Sequence, residues 1–321
     1  MAKRRNSDTP ELPKTFKYGP RFASPVNSPS WEWRDDTQFL QVTRGCSHNG
    51  CRFCTFFKNV PYDKVPLDEV EFYLKYTALC DKVIPVKRVF LQASNAFHLS
   101  YDELMEIAEL VRKQLPNLES IGSYGRMTDL HDKSVEQLNA LYDAGYNRLF
   151  FGVESADDKL LTLMNKGYNS VELYEAGMKL KESKMEWACT IMFGLGGHGY
   201  GFEHAIKTAE YFNAVVPDIV GAVSMTLTYD PYTKMEPPLK RAVERGEFVE
   251  AGEVERYEEM RAFVEHLEAP TLFASRHSSM PVGFLARLPE KKQELIEAID
   301  KVIDEGDEEG MRRFREAVRE V

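Results

Sequence analysis

Apolar positions along the chain alternate between two spacings. Short runs near Phe39–Thr43, Arg88–Gln92, Ser120–Tyr124, Arg148–Val153, Ala188–Phe193 and Ile219–Leu227 have the composition of buried strands. Between them, Leu67–Cys80, Tyr101–Gln114, Ser134–Ala144, Ser170–Ser183 and Glu203–Val215 carry apolar residues three and four apart, as amphipathic helices do. Strand–helix alternation through short loops implies parallel strands and right-handed crossovers. The pattern predicts an α/β fold, a partial (β/α)6 TIM-like barrel over residues 36–234. Residues 1–35, rich in Pro, Ser and Asn, read as an extended N-terminal segment. Residues 235–321 read as a helical C-terminal extension and a candidate substrate cap, with helices expected at Glu253–Glu268, Glu290–Ile303 and Asp307–Val321. The polar stretch Ala274–Pro281 is expected to be a loop near the barrel mouth.

Hydrophobic residues make up 43% of the 321 positions and charged residues 29%, a globular balance with ample material for a core. Apolar runs fall well short of the ~18 residues a membrane-spanning helix needs. The basic start Met1–Pro10 is not followed by the apolar stretch of a secretory signal, so the expected location is cytoplasmic, with no membrane partner. Lys and Arg number 41 against 51 Asp and Glu, and the net charge of −10 argues against broad binding to nucleic acid.

Cysteine usage sharpens this picture. Of five cysteines, Cys46, Cys51 and Cys54 lie in one short segment, whereas Cys80 sits in a predicted helix and Cys189 in a predicted strand. The last two read as buried, small apolar residues. An odd number in a chain with no export signal argues against a disulfide framework. The clustered three read as an incidental loop, as a Cys3His zinc site with His48, or as thiolate ligands of a [4Fe–4S] cluster with one iron left open. His48 lies two residues from Cys46 and three from Cys51, cramped for four tetrahedral ligands, and the cluster is the favoured assignment.

The loop, with an aromatic residue before its last cysteine (Cys51-Arg-Phe-Cys54) and an apolar strand ahead of it, resembles that of the radical S-adenosylmethionine (SAM) enzymes. Its Cys-x4-Cys-x2-Cys spacing exceeds their commonest pattern by one residue. Downstream, Phe150-Phe-Gly-Val-Glu154-Ser155, Asn165-Lys166-Gly167 and Ile191-Met-Phe-Gly194-Leu-Gly196-Gly197 are similar, in the same order, to segments of the elongator-type and coproporphyrinogen-oxidase-like members. The resemblance extends to about residue 230.

It implies a [4Fe–4S] cluster on Cys46, Cys51 and Cys54, and SAM as second cofactor. The activity it implies is reductive cleavage of SAM to a 5′-deoxyadenosyl radical, which takes hydrogen from a small-molecule substrate. It also implies oxygen sensitivity and an electron donor such as flavodoxin or ferredoxin. Carried residue by residue, it makes Lys166 and Arg126 candidates for the SAM carboxylate, and Glu154 a candidate for its ribose or ammonium. Gly194 and Gly196 become candidates for close approach to adenosine, with Phe53, Ser94, Asn95 and Ser155 nearby. Ser94 and Asn95 stand where relatives carry a Gly-Gly-Glu-like turn, which is absent here. His277, Tyr229 and Tyr232 are weaker catalytic candidates, each equally readable as a packing or loop residue. Glu154, Lys166 and Arg126 have ordinary readings too, as surface charges or ion-pair partners. Other functions remain open: a tRNA-modifying enzyme of the same type, disfavoured by the acidic balance, and a non-catalytic zinc or iron–sulfur regulatory protein.

Overall fold

A computed structural model describes residues 28, 29, 32, 34–230 and 234–317. In chain order the elements begin with β1 (Thr37–Gln41), β2 (Thr43–Arg44), β3 (Asp63–Lys64), α1 (Leu67–Asp81), β4 (Arg88–Gln92) and α2 (Tyr101–Gln114). The centre comprises β5 (Ser120–Gly125), α3 (Val135–Asp143), β6 (Tyr146–Glu154), α4 (Asp158–Leu163), α5 (Ser170–Glu182), β7 (Trp187–Phe193), α6 (Gly201–Val215) and β8 (Ile219–Ser224). There follow α7 (Lys240–Glu244), α8 (Glu253–His266), β9 (Thr271–Ala274), β10 (Leu285–Leu288), α9 (Lys292–Glu305) and α10 (Glu308–Ala317). Among the described residues no helix is long and apolar enough to cross a membrane.

Local chemistry explains where several helices start. Ser100 and Glu103 close a reciprocal capping box at α2, as do Ser134 and Gln137 at α3 and Asn169 and Glu172 at α5. Leu104, Ile107, Ala108 and Val111 then form the buried stripe of α2, at the spacing that one helix face requires.

The main sheet runs β1-β4-β5-β6-β7-β8-β9-β10. All its pairings are parallel except β9 with β10. Its edge strands β1 and β10 do not pair with each other, so the barrel is partial. Alternation along the strands divides the apolar residues between two faces. Val89, Leu91, Phe151, Cys189 and Val220 pack under the helices. On the opposite face the rings of Phe39, Phe90, Tyr124 and Phe150 meet edge to face across β1, β4, β5 and β6, with successive centroids 6.5, 5.3 and 5.4 Å apart.

The six expected strands and five central helices are present, with ends shifted by only a few residues. The C-terminal part departs from the purely helical expectation: Thr271–Ala274 and Leu285–Leu288 extend the sheet. β9 pairs parallel with β8, and β10 returns antiparallel onto β9. Most of the expected N-terminal segment, residues 1–35, lies outside the described residues.

Candidate active site

The cysteine loop begins directly after β1 and the short β2, which pairs with β3 outside the main sheet, and is tied to two neighbouring strand ends. Asn95, fully buried after β4, accepts the Ser47 amide on Oδ1 at 3.2 Å and donates from Nδ2 to Ser47 Oγ at 2.7 Å. The same Nδ2 reaches Asp129, whose carboxylate also accepts the Arg126 amide at 2.7 Å and faces His98 Nδ1 at 2.9 Å. Asn95 is thus spent on holding the loop, as a buried amide must be on something. Ser94 is bound through its own amide, which donates to the Gly45 carbonyl at 3.4 Å.

The segment after α4 grips the loop from the other side. The Arg52 amide donates to the Met164 carbonyl at 3.0 Å, Asn165 Nδ2 donates to the Gly50 carbonyl at 2.9 Å, and His48 Nε2 lies 2.6 Å from the Asn165 carbonyl. Gly167, at φ +79°, leaves room for the His48 ring, whose Cε1 would stand 2.7 Å from a Cβ there. His48 therefore acts as a wedge between the two segments.

Two cations converge on Cys51. Arg126 Nη1 donates to its Sγ at 3.8 Å while Nη2 donates to the Lys166 carbonyl. Lys166, almost fully buried, donates from Nζ to the Gly152 carbonyl at 3.0 Å and lies 3.8 Å from Glu154 Oε1. Burial pushes the Cys51 thiol up, but the hydrogen bond with His48 and the charges of Lys166 and Arg126 outweigh it and bring it down to about 7. Cys54 goes the other way: burial and the neighbouring Cys51 push it to about 12. Burial works against the Lys166 charge, but Tyr168, Glu154 and Cys51 together hold its pKa above the usual lysine range. Cys189, buried in β7, is pushed well up by burial, as expected of a packing residue.

The remaining strand ends complete the mouth. Glu154 ends β6 at φ +67° and accepts from Thr190 Oγ1 at 2.7 Å. A non-glycine residue in that conformation is held by its surroundings and marks a site worth attention. Ser155 is fully buried and accepts the Asp157 amide at 3.0 Å, so its hydroxyl serves the turn. Gly194 follows β7 at φ +80°, and Gly196 stands two residues on, half-buried. Phe53 sits under the Lys166 ammonium, 5.7 Å from ring centroid to Nζ. It also borders an apolar cluster of Met164, Leu195, Leu227, Leu239 and Phe248. The Leu239 amide donates to the Arg52 carbonyl at 2.8 Å, which ties the strap around α7 to the cysteine loop.

Of the weaker catalytic candidates, His277 lies in the loop after β9, its Nδ1 2.8 Å from Ser279 Oγ. Ser279 in turn accepts the Ser224 amide at the end of β8, so this loop does reach the barrel mouth. Burial lowers the His277 pKa below the usual imidazole value. Tyr229 is about half exposed. Tyr232 lies outside the described residues. Sequence reasoning missed Asp129, His204 and Glu259; only the spacing of Asp129 three residues after Arg126 offered a local signal.

Residues 40–212 match the Radical SAM superfamily. The chain belongs to that superfamily. Its cofactors are accordingly a [4Fe–4S] cluster and SAM. The heme chaperone HemW of Bacillus subtilis (strain 168) is 26% identical over 170 residues, 51% of this chain and 44% of that protein. Anaerobilin synthase of Escherichia coli O157:H7 is 24% identical over 171 residues, 50% of this chain and 36% of that one. The chain spans less than half the length of these curated relatives. Among solved structures, Elp3 of the archaeon Methanocaldococcus infernus superposes with a TM-score of 0.51 at 14% identity, over 86% of this chain and 64% of that one. The cobalamin-dependent radical SAM enzyme OxsB gives 0.52 at 14% identity, over 83% and 41%. These likenesses concern the fold.

Among the described residues no three His, Cys, Asp or Glu side chains are grouped as a metal site, but the chemistry of the cysteine loop suits a thiolate-held cluster. Three thiols share one loop, and the two buried cations beside Cys51 would offset the negative charge of thiolate ligands.

Proposed function

We propose that this chain is a radical SAM enzyme whose cluster is held by Cys46, Cys51 and Cys54, and which abstracts hydrogen from a small-molecule substrate. One observation carries the reading: the cysteine loop is fastened, through Arg126 and Lys166, to the strand end that presents Glu154. When bound, the cluster supplies the electron that cleaves SAM to a 5′-deoxyadenosyl radical, the species that takes hydrogen from substrate.

The chain's own residues bind, orient and shield. Lys166 offers a point charge for the SAM carboxylate, and Glu154, when ionised, accepts from ribose hydroxyls or from the ammonium. The backbone at Gly194 and Gly196 lets adenosine approach closely. Phe53, Phe57, Leu239 and Phe248 exclude water from this end of the barrel. The working core is taken as residues 36–234, and 235–321 as a C-terminal extension and candidate substrate cap. The enzyme is assigned to the cytoplasm, with an electron donor such as flavodoxin or ferredoxin.

The test is anaerobic reconstitution with iron and sulfide, followed by SAM and dithionite. About four irons per chain and formation of 5′-deoxyadenosine are expected. Zinc in place of iron, with SAM intact, would refute the reading. A second reading, haem binding without turnover, is favoured by the 26% identity to the heme chaperone HemW. Haemin titration followed by absorbance separates the two: stoichiometric haem binding without 5′-deoxyadenosine would support the chaperone.

A further inference from the structure

Glu259, on α8, reaches the ends of two site strands. Its Oε2 accepts the Gly194 amide at 2.8 Å, and its Oε1 lies 2.5 Å from His204 Nδ1. On the other side of the ring, His204 Nε2 lies 3.2 Å from the Glu154 carbonyl. Both ring nitrogens are therefore engaged, one by the Glu259 carboxylate and one by the Glu154 carbonyl. Both side chains are buried, His204 on α6 and Glu259 on α8.

The two backbone groups held by this bridge belong to residues that both have left-handed backbone, Glu154 at φ +67° and Gly194 at φ +80°. Such conformations persist where neighbouring groups over-determine them. The first residue of α6 is shaped to admit the bridge, since a Cβ at Gly201 would stand 3.0 Å from Glu259 Cβ. One turn earlier on α8, the Arg256 guanidinium lies against Gly194, where a Cβ would fall 2.7 Å from its Cζ. Arg256 Nη1 donates to Ser224 Oγ at 2.8 Å and to the Met225 carbonyl at 2.7 Å. Helix α8 thus clamps the ends of β7 and β8 from outside residues 40–212, the stretch that matches the superfamily.

Apolar residues of similar volume commonly replace a buried polar pair at little loss of stability. What they cannot do is accept the Gly194 amide or donate to the Glu154 carbonyl. We propose that Glu259, acting through His204, is a positioning residue that fixes Glu154 and Gly194 in the conformation that binds SAM. The C-terminal part of the chain then completes the cofactor site without touching the cofactor. The proposal rests on the assignment of Glu154 and Gly194 to SAM made above.

Two measurements test it on wild type, Glu154→Ala and Glu259→Met. One is amide hydrogen exchange on the chain without cofactors; the other is SAM affinity of the reconstituted protein. In Glu259→Met, which keeps the length of the side chain but no acceptor, the Gly194 amide is expected to exchange at least ~10-fold faster while the Ile191 amide, inside β7, keeps its rate. SAM affinity falls at least ~5-fold with iron content unchanged. Should Glu259→Met lose iron or fail to fold, the double variant His204→Phe/Glu259→Met fills the same space without stranding a polar partner in the pair and is expected to show the same losses. SAM affinity within ~2-fold of wild type in a folded bridge variant, alongside weakened binding in Glu154→Ala, overturns the positioning role and leaves the site assignment intact. Unchanged affinity in Glu154→Ala overturns the assignment and the proposal together.

Discussion

The Lys166 ammonium lies 3.8 Å from the Glu154 carboxylate, and both side chains are largely buried at the mouth of the partial barrel. Each is the other's nearest opposite charge, so a ligand carrying both a carboxylate and an ammonium can take over both partners without leaving a buried charge alone. An amino acid head group such as that of SAM has those two charges. In Lys166→Ala, SAM affinity should fall by about 1–3 kcal/mol. Equilibrium binding to the reconstituted variant checks this, and unchanged affinity removes Lys166 from the site.

Cys46→Ala, Cys51→Ala and Cys54→Ala should each abolish iron retention, whereas Cys189→Ala and Cys80→Ala should keep it. Cys189 packs under the helices and its thiol is driven toward the neutral form by burial, unsuited to ligation. Iron and sulfide analysis decides the matter. Iron loss in Cys189→Ala equal to that in the loop variants would sink the ligand assignment.

Asn95→Ala should destabilise the chain by about 1–3 kcal/mol, because it strands the Ser47 amide and removes a donor from the buried Asp129. The same variant should retain less iron, since the link from Ser47 to the end of β4 goes with it. Urea unfolding gives the first quantity and iron analysis the second. A variant as stable and as iron-rich as wild type would show that the loop needs no such tie.

Asp157 caps α4 by accepting the Lys159 amide, and it also accepts from Lys207 Nζ and Tyr200 Oη. Burial pushes its carboxyl up, but these hydrogen bonds outweigh it and hold the pKa below the usual aspartate value. The native state therefore binds fewer protons than the unfolded chain near that value. The resulting stability is complete above the unfolded pKa of roughly 4 and is lost as pH falls through the lower native value. Asp157→Asn keeps a capping side chain but no charge. Its deficit against wild type should be larger at pH 7 than at acid pH, shrinking below about pH 4. Urea unfolding across that range measures it, and a deficit that stays constant would contradict the assignment.

Local chemistry by itself determined much of this protein. Arg88–Gln92 and Tyr101–Gln114 could be read to the residue, because strand composition, a capping serine and a repeating apolar stripe are all short-range signals. The cysteine loop was equally plain as a candidate, since three scarce thiols within nine residues need no knowledge of the fold. Tertiary structure alone decided the rest. Thr271–Ala274 and Leu285–Leu288 are strands because β8 offers an edge to pair with, and four-residue segments carry too little pattern to announce that. Asn95 is a cofactor candidate by its position after a strand, and only the fold brings Ser47 and Asp129 onto its amide. Glu259 is, along the chain, one of several acidic residues in the Glu253–Glu268 stretch. Its place at the site follows from hydrogen bonds to residues 55 and 65 positions away, and only packing α8 against α6 brings those partners together.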